Sequence, residues 1–218
     1  FTQPEYRISI PENTLVGTRI LTVTATDADE GYYAQVVYFL EKSPGETSEV
    51  FELKSTSGEL TIIKDLDYED ATFHEIDIEA QDGPGLLTRA KVIVTVLDVN
   101  DNAPEFYMTS ATSSVSEDSL PGTIIGLFNV HDRDSGQNAF TTCSLPEDLP
   151  FKLEKSVDNY YRLVTTRALD REQVSSYNIT VTATDGGSPP LSTEAHFMLQ
   201  VADSNDNPPA FSQVSYFT

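Results

Sequence analysis

Apolar and polar residues alternate with a period of two along most of this chain, and no stretch sustains the 3.6-residue period of an amphipathic helix. In Tyr177-Asn178-Ile179-Thr180-Val181-Thr182-Ala183-Thr184 every second residue is apolar, the pattern of a strand with one face turned to a core. The same reading predicts strands at 19–26, 35–40, 59–63, 73–81 and 87–97, with weaker ones at 6–10 and 50–53. A second set follows at 123–130, 140–145, 160–165, 177–184 and 193–201. With turn residues between them, this gives about seven strands per set. The expected fold is all-β: two tandem seven-stranded Greek-key β-sandwiches joined end to end. The absence of Trp and of a cysteine pair argues against immunoglobulin domains.

An internal repeat sets the boundaries. Asp98-Val99-Asn100-Asp101-Asn102 returns 105 positions on as Asp203-Ser204-Asn205-Asp206-Asn207, each run followed by Pro and then Phe. Phe1, Phe106 and Phe211 keep the same spacing. The expected modules are 1–102 and 103–207, with 208–218 the start of another. The chain begins and stops at the repeat junction, as a piece cut from something longer would. Between Asp98 and Phe106 there is no Gly or Ser, and Pro104 restricts its neighbours, so the link is not a flexible tether.

Composition removes several functions. A net charge of −22, with 13 Lys and Arg that do not cluster, excludes nucleic-acid binding and disfavours direct contact with an anionic membrane. There is no signal peptide and no apolar run long enough to span a bilayer. Cys143 is the only cysteine, so no intrachain disulfide forms; its alternating surroundings predict a small buried hydrophobe.

The acids carry the chemistry. Aligned on the junction, Glu12 matches Glu117, Asp27 and Asp29 match Asp132 and Asp134, Asp67 and Glu69 match Asp170 and Glu172, and Asp82 matches Asp185. With Asp98, Asp101, Asp203 and Asp206, 16 of the 35 acids belong to matched sets, all at strand ends or in loops. Turn chemistry accounts for one Asp-x-Asp but not for five matched sets on two modules. Oxygen donors with no soft partner suit a hard cation such as calcium. An EF-hand is excluded, because the twelfth position from Asp27 or Asp132 is Tyr38 or Cys143 instead of Glu. Ligands must therefore come from separate segments and from both modules. Asp82 and Asp185 extend apolar core rows, where a carboxylate is costly unless a cation compensates it. A hydrolase using paired carboxylates is disfavoured, since each close pair is a candidate ligand set. His74, His131 and His196 have no nucleophile motif around them, so no enzyme is predicted.

Taken together, Pro11-Glu12-Asn13, Asp27-Ala28-Asp29, Leu66-Asp67-Tyr68-Glu69, Asp82-Gly83 and Asp98–Asn102, with their counterparts in the second module, resemble the cadherin repeat. The second module, through Asp170-Arg171-Glu172-Gln173 and Ser188-Pro189-Pro190-Leu191-Ser192-Thr193-Glu194, is similar to the gamma subfamily of clustered protocadherins. The resemblance implies the third and fourth of six extracellular repeats of a single-pass plasma-membrane protein, and three calcium ions at the 98–106 junction. It places Glu12, Asp67, Glu69 and Asp101 on the outermost ion. Glu12, Glu69, Asp98, Asp101, Asp134 and the Val99 carbonyl would hold the middle one. Asn100, Asp132, Asp134, Asp185 and the carbonyls of Asn102 and Asn138 would hold the third. Asp27, Asp29 and Asp82 would be a half-site toward a preceding module. Glu117, Asp170, Glu172, Asp203 and Asp206 would face a following one. Tyr33 stands where the second module has Asn138, and Tyr68 where it has Arg171.

The implied function is calcium-dependent homophilic cell–cell recognition, pairing antiparallel with the same protein on an opposing cell; the alternative is a passive calcium-stiffened spacer. Asn178-Ile179-Thr180 is a glycosylation sequon, with Asn178 on the outward side of its strand. Segments 30–33, 41–49 and 107–114 break the repeat and are candidates for partner specificity.

Overall fold

A computed structural model describes residues 1–41, 49–157 and 159–210. The chain divides into two compact units, Phe1–Asp101 and Asn102–Thr218, each with its own apolar core. The expected fragment 208–218 falls mostly on 211–218, outside the described residues, as does most of 41–49.

The first unit contains β1 (Glu5–Pro11), β2 (Arg19–Thr22), β3 (Val37–Leu40), β4 (Phe51–Leu53), β5 (Glu59–Ile62), β6 (Phe73–Gln81) and β7 (Leu87–Leu97). They form one sheet in the order β1-β7-β6-β3 and another in the order β2-β5-β4. Along β6 and β7 the alternation decides what faces inward: Ile76 sits opposite Val92 and Ile78 opposite Ala90, all four buried. Parallel pairing with β7 adds Ile10 beside Val96. The other sheet supplies Phe51, Leu60 and Ile62 to the same core, the packing of a β-sandwich.

The second unit contains β8 (Glu105–Ala111), β9 (Ser114–Ser116), β10 (Ile124–His131), β11 (Thr142–Ser144), β12 (Phe151–Lys155), β13 (Tyr160–Thr165), β14 (Ser176–Thr184) and β15 (Ser192–Ala202). Its sheets run β12-β13-β10-β8 and β11-β14-β15-β9. Aromatic side chains fill the core in place of Trp: Phe128 stacks on Tyr161 at 5.6 Å between ring centroids and meets Phe106 and Phe197 at tilted angles.

Three features depart from the predicted strands, one of them β12, which the second predicted set does not include. The first strand of the second unit splits, β8 pairing antiparallel with β10 while β9 joins the other sheet parallel to β15, which makes eight segments. In the first unit, among the described residues, the counterpart of β8 is reduced to one backbone hydrogen bond, from the Thr2 N–H to the Thr24 carbonyl, with the Tyr6 hydroxyl bonded to Thr24 beside it, and the expected strand 19–26 stops at Thr22. Of the segments that break the repeat, 107–114 lies largely on β8, whose Tyr107 and Met108 are about half exposed. Segment 30–33 leads into a 3-10 turn at Gly31–Ala34, with Tyr32 and Tyr33 exposed.

Candidate metal centre

Because β1 and β7 run parallel, they end at the same pole of the first unit, and Glu12 and Asp98 follow directly. Glu12 is buried, 4% exposed, and both its oxygens are used: Oε1 accepts the Val99 N–H at 2.8 Å and Oε2 the Tyr68 N–H at 2.6 Å. One carboxylate thus ties the loop after β5 and the segment after β7 to the end of β1. Asp67 Oδ1 accepts the N–H groups of Glu69 and Asp70, at 3.0 and 3.2 Å, fixing the turn that carries Glu69. One oxygen from each of Glu12, Glu69 and Asp101 falls within 4.8 Å of the others. The carboxyl of Glu69 is pushed up to about 7, by loss of water around it and by the charges of Glu12 and Asp101. Since Glu69 as a whole is exposed, the crowding of charge is the part of that shift a cation would reverse.

The second unit repeats the arrangement. Glu117, also 4% exposed, accepts the Ser204 N–H at 2.6 Å and the Arg171 N–H at 2.7 Å. Oxygens of Glu117, Glu172 and Asp206 lie within 4.8 Å of one another. Asp170 Oδ1 accepts the Gln173 N–H. The neighbours differ: Tyr68 packs against the core of its unit, whereas the Arg171 guanidinium contacts Asp203 and Glu172.

At the opposite pole of each unit, Asp82 and Asp185 follow β6 and β14 and are buried, as the core-row reading predicts. The expected need for a cation is partly met by backbone. Asp82 Oδ1 accepts the N–H groups of Gly85 and Leu86, both at 2.7 Å, and Asp185 those of Gly187 and Leu191. The next residue is Gly in both units for a steric reason. A Cβ on Gly83 would sit 2.3 Å from the Tyr32 carbonyl oxygen, and one on Gly186 would sit 2.8 Å from that of Gln137. Only glycine lets the loops bearing Tyr33 and Asn138 approach Asp82 and Asp185 so closely. Sequence reading paired these Asp-Gly steps without that reason; the signal was a Gly after each matched Asp.

Asp132 and Asp134 are buried at the same pole as Asp185, and the Asp134 N–H donates to Asp132 Oδ1 at 3.1 Å. Asp134 Oδ1 accepts from the backbone and side-chain nitrogens of Asn102, at 3.3 and 2.8 Å. Asp132 Oδ2 is enclosed with no hydrogen-bond partner among the described residues. Burial, then the charges of Asp134 and Asp185, raise the Asp132 carboxyl above its ordinary range. An enclosed, unpaired carboxylate oxygen beside two further carboxylates is a donor set that fits a hard cation. In the first unit the matching pair is Asp27 and Asp29, with the Asp29 N–H bonded to Asp27 Oδ1 at 2.9 Å. Asp98, Val99, Asn100 and Asp101 occupy the end of the first unit and Asn102 the start of the second. The two sets 12/67/69/98/101 and 132/134/138/185 therefore belong to different units.

Two other residues fit structural roles. Cys143 is half-buried on β11, and burial pushes its thiol up to about 11, leaving it protonated and unreactive at neutral pH. His74 packs edge-on against Phe51 at 5.3 Å. Among the described residues no helix is long and apolar enough to cross a membrane.

A β-sandwich pair with acid sets recurring at both poles defines a class of protein, and a cadherin-domain family model matches residues 6–97 and 111–202. The chain belongs to the cadherin family, an adhesion family of calcium-binding domains and not one of enzymes. Its relatives include gamma protocadherins. It is 94% identical over all 218 residues to human protocadherin gamma-A2 and 65% identical over 216 residues, 99% of the chain, to protocadherin gamma-A3 of Pan troglodytes. In each case it spans 23% of the relative's length. The crystal structure of the protocadherin gamma B4 extracellular domain is 42% identical with a TM-score of 0.91, over 99% of this chain and 33% of that one. Extracellular cadherin domains 1–5 of protocadherin gamma B2 give 39% and 0.94, over 99% and 41%.

Proposed function

We propose that this chain is a pair of successive extracellular cadherin repeats, 1–102 and 103–207, from a calcium-dependent homophilic adhesion protein. The observation that carries the metal reading is the trio Glu12, Glu69 and Asp101, whose oxygens converge within 4.8 Å while Glu69 is pushed up to about 7. Eight carboxylates would serve the junction: Glu12, Asp67, Glu69, Asp98 and Asp101 from the first repeat, and Asp132, Asp134 and Asp185 from the second. Backbone carbonyls of Val99, Asn102 and Asn138 and the side chain of Asn100 complete the proposed set, for three ions in all. Asp27, Asp29 and Asp82 would serve a preceding repeat, and Glu117, Asp170, Glu172, Asp203 and Asp206 a following one.

Two carboxylates about 5 Å apart repel by roughly 0.8 kcal/mol in water and by several times that when partly desolvated. Bound calcium supplies the opposing charge, and three ions would change the formal charge from −22 to −16. Carboxylates of two repeats that share ions hold the junction rigid, which a stiff 98–106 link assists. Affinity in the range of about 10⁻⁴ to 10⁻³ M fits extracellular modules. Small-angle scattering with calcium and with chelator tests this: the profiles should differ, with a longer maximum dimension in calcium, and identical profiles would remove the reading.

The proposed partner is a second copy on an opposing cell, bound antiparallel. The spacer alternative predicts a different result for a chain extended by the two preceding repeats. If these units take part in recognition, that longer chain dimerises in solution and substitutions on them abolish the dimer; if they are a spacer, the substitutions leave the dimer intact.

A further inference from the structure

The acidic poles that end the two units share a fold and differ in what surrounds their carboxylates. At 65–70 the first unit has Asp65, Asp67, Glu69 and Asp70 around Tyr68, a formal charge of −4. At 168–173 the second has Asp170 and Glu172 with Ala168, Arg171 and Gln173, two carboxylates and one guanidinium, hence −1. The side chains follow the difference. Arg171 Nε donates to Asp203 Oδ1 at 2.9 Å and Nη2 to Glu172 Oε1 at 2.8 Å. Gln173 Nε2 donates to Asp170 Oδ2 at 2.6 Å. Three candidate ligands of that pole therefore already hold a donor side chain. In the first unit neither counterpart can do this, because Tyr68 is packed against the core and Asp70 is itself a carboxylate.

We propose that Arg171, supported by Gln173, is a built-in counter-charge that makes the pole of Glu117, Asp170, Glu172, Asp203 and Asp206 bind calcium more weakly than its counterpart in the first unit and keep its shape better without it. The inference rests on the calcium reading above. For Asp203 and Glu172 to ligate an ion, their bonds to the guanidinium must be given up. A fixed positive charge nearby also repels the incoming divalent ion, by about 1 kcal/mol at roughly 8 Å in water, a factor of about five in affinity. Tyr68 and Asp70, at the positions of Arg171 and Gln173, bring no positive charge to the first pole, which therefore gains more from the ion. The two ends of one protein are thereby set to respond at different calcium concentrations.

The test is a calcium titration of the whole 218-residue chain, followed by calorimetry and by thermal unfolding, with matched exchanges. Tyr68→Arg with Asp70→Gln should raise the calcium midpoint of the strongest sites about tenfold and raise the melting temperature in chelator. Because Tyr68 touches the core, the exchange Arg171→Gln with Gln173→Asp, at a half-buried and an exposed residue outside the core, is the second arm. It should strengthen the weak binding phase about tenfold and lower the melting temperature in chelator, whereas Arg171→Lys should restore the original midpoint. Titrations of both exchanged chains that superimpose on the unaltered one overturn the proposal while leaving the calcium reading in place. An unaltered chain that calcium does not stabilise removes both.

Discussion

Glu12 Oε1 accepts the backbone N–H of Val99 at 2.8 Å, a bond across 87 residues that Glu117 repeats with Ser204 at 2.6 Å. Each glutamate is buried and spends its second oxygen on another N–H, of Tyr68 or Arg171. These carboxylates are therefore structural acceptors as well as candidate ligands. Glu12→Ala leaves the N–H groups of Tyr68 and Val99 without their acceptor and should destabilise the chain by about 1–3 kcal/mol with calcium absent. Glu12→Gln, which keeps one acceptor oxygen, should fall between. Urea unfolding in chelator measures it. Unchanged stability of the alanine variant would reduce Glu12 to a ligand only.

Glu69 should behave in the opposite way. Loss of water around it and the charges of Glu12 and Asp101 outweigh the backbone hydrogen bond that favours its charged form. At about pH 8, where Glu69 is mostly ionised, Glu69→Gln removes one charge of the three, so it should raise the melting temperature in chelator by a few degrees and reduce the further rise that calcium gives. A variant less stable than the parent in both conditions would contradict the crowding argument.

Gly186→Ala tests how the loop after β10 is seated. The added methyl would meet the Gln137 carbonyl oxygen at 2.8 Å, so the loop carrying Asn138 must withdraw. The expected result is a loss of about 1–3 kcal/mol together with a weaker calcium response, since Asn138 and Asp185 are candidate ligands of one ion. Gly122→Ala is the control for overall tolerance: no atom comes within 4 Å of its added methyl, though its φ of 92° costs strain of its own. A calcium midpoint unchanged by Gly186→Ala would separate that loop from the site.

Asn178 is exposed on β14, opposite the exposed Met198, as the alternation requires. The chain made in mammalian cells should carry a glycan there, seen as a mass increment that glycosidase and Asn178→Gln both remove. An unmodified Asn178 would return this outer face to the surfaces open for recognition.

Strands such as β6 and β14 were legible because two-residue alternation and burial agree at every position from Ile76 to Ala80 and from Ile179 to Ala183. The split of β8 and β9 was not. Residues 107–111 are all exposed, so no apolar face marks them, and only pairing with β10 makes them a strand. The acid sets were legible through their recurrence at a spacing of 105, or of 103 for Asp67, Glu69 and Asp82, a property of repetition rather than of any single loop. What spacing cannot show is the partner. Nothing in the string Pro11-Glu12-Asn13 says that Glu12 clamps Tyr68 and Val99, or that Asp185 is held by the hairpin loop that follows it. Those bonds depend on chain closure over 56 and 87 residues, which local pattern does not encode.

His74 and Tyr177 occupy the same place in their units, each set edge-on to a phenylalanine: Phe51 at 5.3 Å and Phe151 at 5.1 Å. The histidine differs in that it can gain a charge. Burial lowers its pKa from 6.5, so the folded chain holds that proton less well than the unfolded chain does. Its contribution to stability is complete above about 6.5 and declines as the pH falls below that value toward the folded pKa. His74→Tyr, the residue the second unit already uses, should remove this part of the acid sensitivity while keeping the ring contact. The measurement is the shift of the urea midpoint between about pH 8 and pH 5.5 in chelator for both chains, which cancels the carboxylates they share. The parent should lose more stability than the variant over that interval. Equal losses would mean that the ring of His74 is hydrated enough to titrate as it does in the unfolded chain.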